Sequence, residues 1–128
     1  LFAALNLHMP NWGKGSFLHA FIAELVALHF RSQHFTGVQR EKFFGTKAVD
    51  VVGTTPAGAL IGVEVTVSLT NVVDNLERDM AVQPNFAELV VVVLHSAEQR
   101  QAQRAIRAAP GLAPCLSRIR VEPAAKFL

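Results

Sequence analysis

The stretch that decides the fold is Ala48–Ser68, AVDVVGTTPAGALIGVEVTVS. Two runs of β-branched residues flank a short loop holding Thr54, Pro56 and Gly58. Runs of this kind read as strands, and a loop this short reads as a hairpin. Each strand carries one acid among valines: Asp50 between Val49 and Val51, Glu64 between Val63 and Val65. Because side chains alternate across a strand, Glu64, Thr66 and Ser68 share one face, and Val63, Val65 and Val67 the other.

Upstream of the hairpin, Gly45 and Thr46 mark a turn, and Phe35–Phe44 reads as a strand containing Arg40, Glu41 and Lys42. A helix is expected from Phe17 to Arg31, with Ser16 as its N-cap. It is apolar almost all round, as a helix buried between layers is. Helical spacing puts Glu24 on one face with Phe17, Phe21 and Leu28, pointing toward protein. The segment 1–15, with Pro10, Asn11, Gly13 and Gly15, reads as an irregular lead-in anchored by Trp12.

Downstream, Thr70 or Asn71 caps a helix running to Met80, whose apolar face is Val72, Val73, Leu76 and Met80. Leu89–Leu94, LVVVVL, is the continuous run of a strand covered on both faces. Ser96 and Gln99 have the spacing of a capping box for a helix to Ala108, stopped by Pro110 and Gly111. Ser117–Glu122 is the last strand, with Arg118 and Arg120 on one face, a device that also blocks edge pairing. The order α-β-β-β-α-β-α-β predicts one α/β domain over 16–128. Its architecture is three-layered, a central mixed β-sheet flanked by helices.

The composition suits one buried core: 51% of the 128 residues are hydrophobic and 17% charged. No charge-free apolar run is long enough to span a bilayer, so no membrane partner is expected. The single cysteine, Cys115, excludes an internal disulfide and a Cys-rich zinc site, and points to a reducing, cytoplasmic compartment. The five histidines show no metal-ligand spacing. Phosphate-binding glycine loops and the nucleophile elbow are absent as well. The net charge of +2 is compatible with a polyanion such as DNA. The chain opens on Leu1, and further domains of a larger protein are expected.

Two carboxylates inside a buried sheet are costly unless paired or bound to a metal. Mg²⁺ takes one or two carboxylates together with water and substrate phosphate. A metal so held activates water and polarises a phosphodiester. Asp50 and Glu64 offer that donor set, and Glu24 offers a third carboxylate.

This order, with an inward helix Glu, a strand Asp, a hairpin and a strand Glu-x-x, resembles the PD-(D/E)XK, or restriction-endonuclease-like, superfamily over Ser16–Arg107. The pattern is nearest to Holliday-junction resolvase-type and mobile-element nucleases. The resemblance implies a Mg²⁺- or Mn²⁺-dependent endonuclease acting on DNA. Glu24 would be the helix acid, Asp50 and Glu64 the metal ligands, and the Val65 backbone carbonyl a further ligand. It also admits a homodimer, for which the sequence carries no signature of its own.

The motif Lys falls on Thr66, and the Pro position on Val49. Thr66 supplies no positive charge, so a cation would come from Lys47 or Arg78; Arg78 could only stabilise charge. A catalytically inactive module that binds nucleic acid or a protein partner is the alternative. Arg40, Lys42, Lys47 and Arg78 are the expected nucleic-acid contacts. Arg100, Arg104 and Arg107 form one helix face, which could touch phosphates or stand solvated. No aromatic platform for stacking single-stranded bases is evident.

Overall fold

The computed structural model describes residues 14–128. The elements are α1 (Lys14–Ser32), β1 (Thr36–Phe44), β2 (Lys47–Thr54), β3 (Leu60–Thr66), α2 (Val72–Val82), β4 (Glu88–Val93), α3 (Ser96–Ala108) and β5 (Ile119–Pro123). Short 3-10 turns precede α2 and flank β5. The sheet order is β1-β2-β3-β4-β5, antiparallel through β3 and parallel from β3 to β5. The sheet is therefore mixed, as expected. Among the described residues no helix is long and apolar enough to cross a membrane.

The antiparallel half is made by its turns. Phe44 pairs with Lys47 across Gly45-Thr46. Gly45 has φ +63°, a conformation glycine adopts without strain at the first central position of a hairpin turn. The β2–β3 loop is closed by the Thr55 N–H on the Ala59 carbonyl at 2.9 Å, and by the Thr55 hydroxyl accepting from the Ala59 N–H at 3.0 Å.

Two apolar layers cover the sheet. On one face Ile22, Ala23, Val26, Ala27 and Phe30 of α1 meet Val51, Val63, Val65, Val90 and Val92. On the other, Leu76 of α2 and Ala102 and Ile106 of α3 pack on Val49, Val91, Val93 and Val121. Strand β4 thus feeds both layers, which explains its unbroken run of valines. At Gly62 the Phe86 ring lies where a Cβ would be, 2.8 Å from the ideal position.

Several local expectations shift. Helix α1 begins at Lys14, so Ser16 lies inside it rather than capping it; the remaining lead-in residues lie outside the described residues. The cap of α3 sits one residue earlier than the Ser96/Gln99 spacing suggested. The Glu98 carboxylate accepts from the His95 N–H at 3.1 Å, while the Gln99 amide donates to the Val121 carbonyl at 2.8 Å. Glu24 is not buried beneath α1. The buried stripe runs through Ile22, Ala23, Val26 and Phe30, leaving Leu28 53% exposed on the face that Glu24 shares.

One irregularity in the sheet matters for function. Val49 and Val51 are two residues apart yet pack in opposite layers. Regular alternation would put them on one face, so β2 turns over at Asp50. Across from Asp50, between the pairs Arg40–Val51 and Lys42–Val49, Glu41 has φ +52°, an uncommon conformation for a non-glycine residue. The β2–β3 ladder runs from Thr54–Leu60 to Val51–Val63 and no further. Beyond it the strands part.

A candidate active-site cavity between the parted strands

Where β2 and β3 separate, a cavity of about 450 Å³ opens, lined among others by His19, Lys47, Asp50, Glu64, Thr66 and Arg78. Asp50 occupies the place of the missing ladder bonds. Its Oδ2 accepts the Val65 N–H at 2.7 Å and meets His19 Nε2 at 3.0 Å. Its other oxygen accepts no bond among the described residues. A strand residue's N–H and C=O point the same way, so the Val65 carbonyl faces this gap too.

Glu64 lies on the opposite side of β3, toward α2. Lys47, at the start of β2, donates to Glu64 Oε2 at 2.9 Å and to the Ala48 carbonyl at 2.8 Å. Its Nζ is also 2.8 Å from Asp79 Oδ1 of α2. All three side chains are nearly sealed from solvent: Lys47 is 9% exposed, Glu64 6% and Asp79 0%. The Lys47–Asp79 contact is close but poorly directed, and neither Asp79 oxygen has a well-aligned hydrogen-bond partner while both acids are ionised. It is a charge contact.

The charge balance of this trio fixes its protonation. Burial, then a hydrogen bond with Asp79, then the charges of Asp50 and Asp79 push Glu64 up to about 10, against the lowering effect of Lys47. Glu64 is therefore protonated at neutral pH and can donate to Asp79. That bond satisfies an oxygen which two ionised carboxylates would leave orphaned. One ammonium and one shared proton then offset two carboxyl groups, the arrangement that low-dielectric burial favours. Lys47 itself is raised: its two acidic partners outweigh the burial that opposes its charge. His19 is raised mainly by its hydrogen bond to Asp50, against burial, with Asp50 and Glu41 adding charge attraction and Arg40 opposing.

The expected site residues divide. Asp50, Glu64, Thr66, Val65, Lys47 and Arg78 all line the cavity. Glu24 does not; it pairs with Arg40 at 3.3 Å and keeps 46% exposure. It is replaced as the helix partner of Asp50 by His19. Lys42 lies over the Phe44 ring at 5.6 Å. Lys47, expected as a phosphate contact and as a source of the cation that Thr66 lacks, is buried against Glu64 and Asp79. Arg78, at the rim, is 3.7 Å from Asp74. Phe43, 66% exposed, also stands at the cavity, so an aromatic face is present where none was expected.

Two site residues were missed, His19 and Asp79, and both had a signal. Asp79 continues the buried face Val72–Leu76 at helical spacing. His19 continues the stripe Ala23, Val26 and Phe30.

The donors suit a hard cation in kind: two carboxylates and a strand carbonyl. Among the described residues, however, no three His, Cys, Asp or Glu side chains converge to hold a metal. No protein family, curated protein or solved structure matches the chain.

Proposed function

We propose that the cavity is the phosphodiester-hydrolysing site of a metal-dependent DNA nuclease of the PD-(D/E)XK type. One observation carries the reading: Lys47 Nζ lies 2.9 Å from Glu64 Oε2, so β2 supplies the cation that Thr66 does not. In this reading Asp50, Glu64 and the Val65 carbonyl would hold Mg²⁺ or Mn²⁺. When bound, that ion would supply Lewis-acid polarisation of the phosphodiester. Asp50 is held in place by the Val65 N–H and His19. Glu64 would have to give up its proton to serve as a ligand. Lys47 then offsets negative charge developing on the phosphate. Arg78, at the open rim, neutralises a phosphate oxygen in the incoming strand.

A second reading rests on Glu64 being already satisfied by Lys47 and Asp79. In it the domain is a catalytically inactive module of the same type that binds nucleic acid or a protein.

The test is supercoiled-plasmid nicking with Mn²⁺ or Mg²⁺, on the wild type and on Asp50→Asn and Glu64→Gln, with Mn²⁺ calorimetry alongside. Both substitutions keep shape, and Glu64→Gln mimics the protonated acid. Metal-dependent nicking lost in both variants, which still melt as the wild type does, is the expected result. DNA binding without nicking favours the inactive module. Absence of both metal binding and DNA binding at millimolar metal rejects the nuclease reading.

A further inference from the structure

Helix α3 carries a row of arginines away from the cavity. Arg100, Arg104 and Arg107 are all exposed. At 3.6 residues per turn they fall within an arc of about 60° and a length of about 10 Å. Ala102 and Ile106, the buried residues of the helix, lie on the opposite side.

Among the described residues none of the three arginines has an ion pair, a side-chain hydrogen bond or a ring contact. Among the side chains described from Phe17 onward, every other Lys or Arg except Arg31 meets a carboxylate, a backbone carbonyl or an aromatic ring. Three of the four unengaged cations among these side chains thus lie on one helix.

Ordinary helix design does not account for this. An exposed helix usually interleaves acids at i,i+4 to offset its cations. Here the one acid of α3, Glu98, is occupied at the N-terminus by the His95 N–H. Arg100–Arg104 and Arg104–Arg107 are like-charge neighbours at i,i+4 and i,i+3, spacings that weaken a helix. The helix dipole favours a cation only in the last turn, which accounts for Arg107 alone.

Arg107 also borders a groove between α3 and β5 of about 670 Å³, lined as well by Gln103, Ser117 and the Arg120–Glu122 ion pair. Three planar, permanently charged forks in a row fit a run of phosphates better than a run of carboxylates on a folded acidic surface. We propose that this face binds the sugar–phosphate backbone of a nucleic acid without reading its sequence. The inference goes beyond the cavity and does not require it to be catalytic.

The experiment is fluorescence anisotropy of a labelled DNA duplex with the full chain. It is run in EDTA, from about 50 to 200 mM salt. The triple variant Arg100→Gln/Arg104→Gln/Arg107→Gln is compared with the wild type, with Arg31→Gln as a charge control and Asp50→Asn as a cavity control. Each phosphate contact contributes about 0.9 to the slope of log affinity against log salt. The triple variant should therefore lose about 2 to 3 of that slope and bind at least tenfold more weakly at the lower salt, while both controls keep the wild-type slope. Thermal melting of the triple variant should match or slightly exceed the wild type, since all three side chains are exposed and their mutual repulsion is removed. An unchanged slope in the triple variant overturns the proposal, as does an equal loss in Arg31→Gln. Displacement of the duplex by polyglutamate at matched charge also overturns it, in favour of an acidic protein partner. Loss of nicking in Asp50→Asn with the slope retained separates this surface from the cavity.

Discussion

Replacing Lys47 with Met tests the charge balance of the cavity most directly. In the native protein one ammonium and one proton offset the carboxyl groups of Glu64 and Asp79. Lys47→Met removes the ammonium and leaves Asp79, 0% exposed, as an unpaired anion. Breaking a buried pair in this way typically costs about 3–5 kcal/mol. That is the loss expected at pH 7. Adding Asp79→Asn removes the anion and should restore all but about 1 kcal/mol, a coupling of the size found for residues in one network. The assay is urea unfolding of the wild type, the single variant and the double variant at pH 7, with m-values compared. The reasoning fails if Lys47→Met costs under about 1 kcal/mol. It also fails if Asp79→Asn does not rescue.

Two further outcomes follow from named contacts. His19 is raised above 6.5 by its hydrogen bond to Asp50, so the charged imidazole stabilises the fold fully below pH 6.5, and that stabilisation fades as pH rises through the raised value. NMR titration of the imidazole should place its midpoint above the ordinary histidine value, and His19→Gln should flatten the pH dependence of the urea midpoint above pH 6.5; a midpoint at or below the ordinary value refutes this. Gly62→Ala places a methyl against Phe86 and Leu89, both fully buried, and should cost about 1–3 kcal/mol through overpacking. A urea midpoint equal to the wild type would mean that the Phe86 ring can give way.

Most of the fold was legible because its signals are local. The valine runs of β2, β3 and β4, the glycine turn at Gly45 and the order of elements give the mixed sheet directly. Errors arose where a local pattern had two equivalent settings. His95/Glu98 and Ser96/Gln99 both satisfy an i,i+3 cap, and the end of β4 at Val93 decides between them. Helix α1 is apolar on nearly every side, so periodicity alone cannot say which stripe faces the sheet. The valines of β3 and β4 select Ile22, Ala23, Val26 and Phe30, and that choice moves Glu24 toward Arg40 and brings His19 to Asp50.

Asp50 and Glu64 were legible because an acid among valines is a local anomaly, whereas His19 and Asp79, which partner them, come from elsewhere in the chain. Thr66 at the motif position leaves no cation on β3, and the sequence could only offer Lys47 and Arg78 as substitutes. The fold selects Lys47 because β2 parts from β3 at Asp50, which lets the first residue of β2 reach Glu64 across the gap. Asp79 then overfills the site with negative charge, since one lysine cannot balance two ionised carboxylates. A proton on Glu64 restores neutrality at physiological pH. A divalent cation could do the same only by displacing that proton. Under the proposed function proton and metal would compete for one carboxylate, and the Lys47–Asp79 contact would set the balance between a closed structural cluster and a working metal ligand.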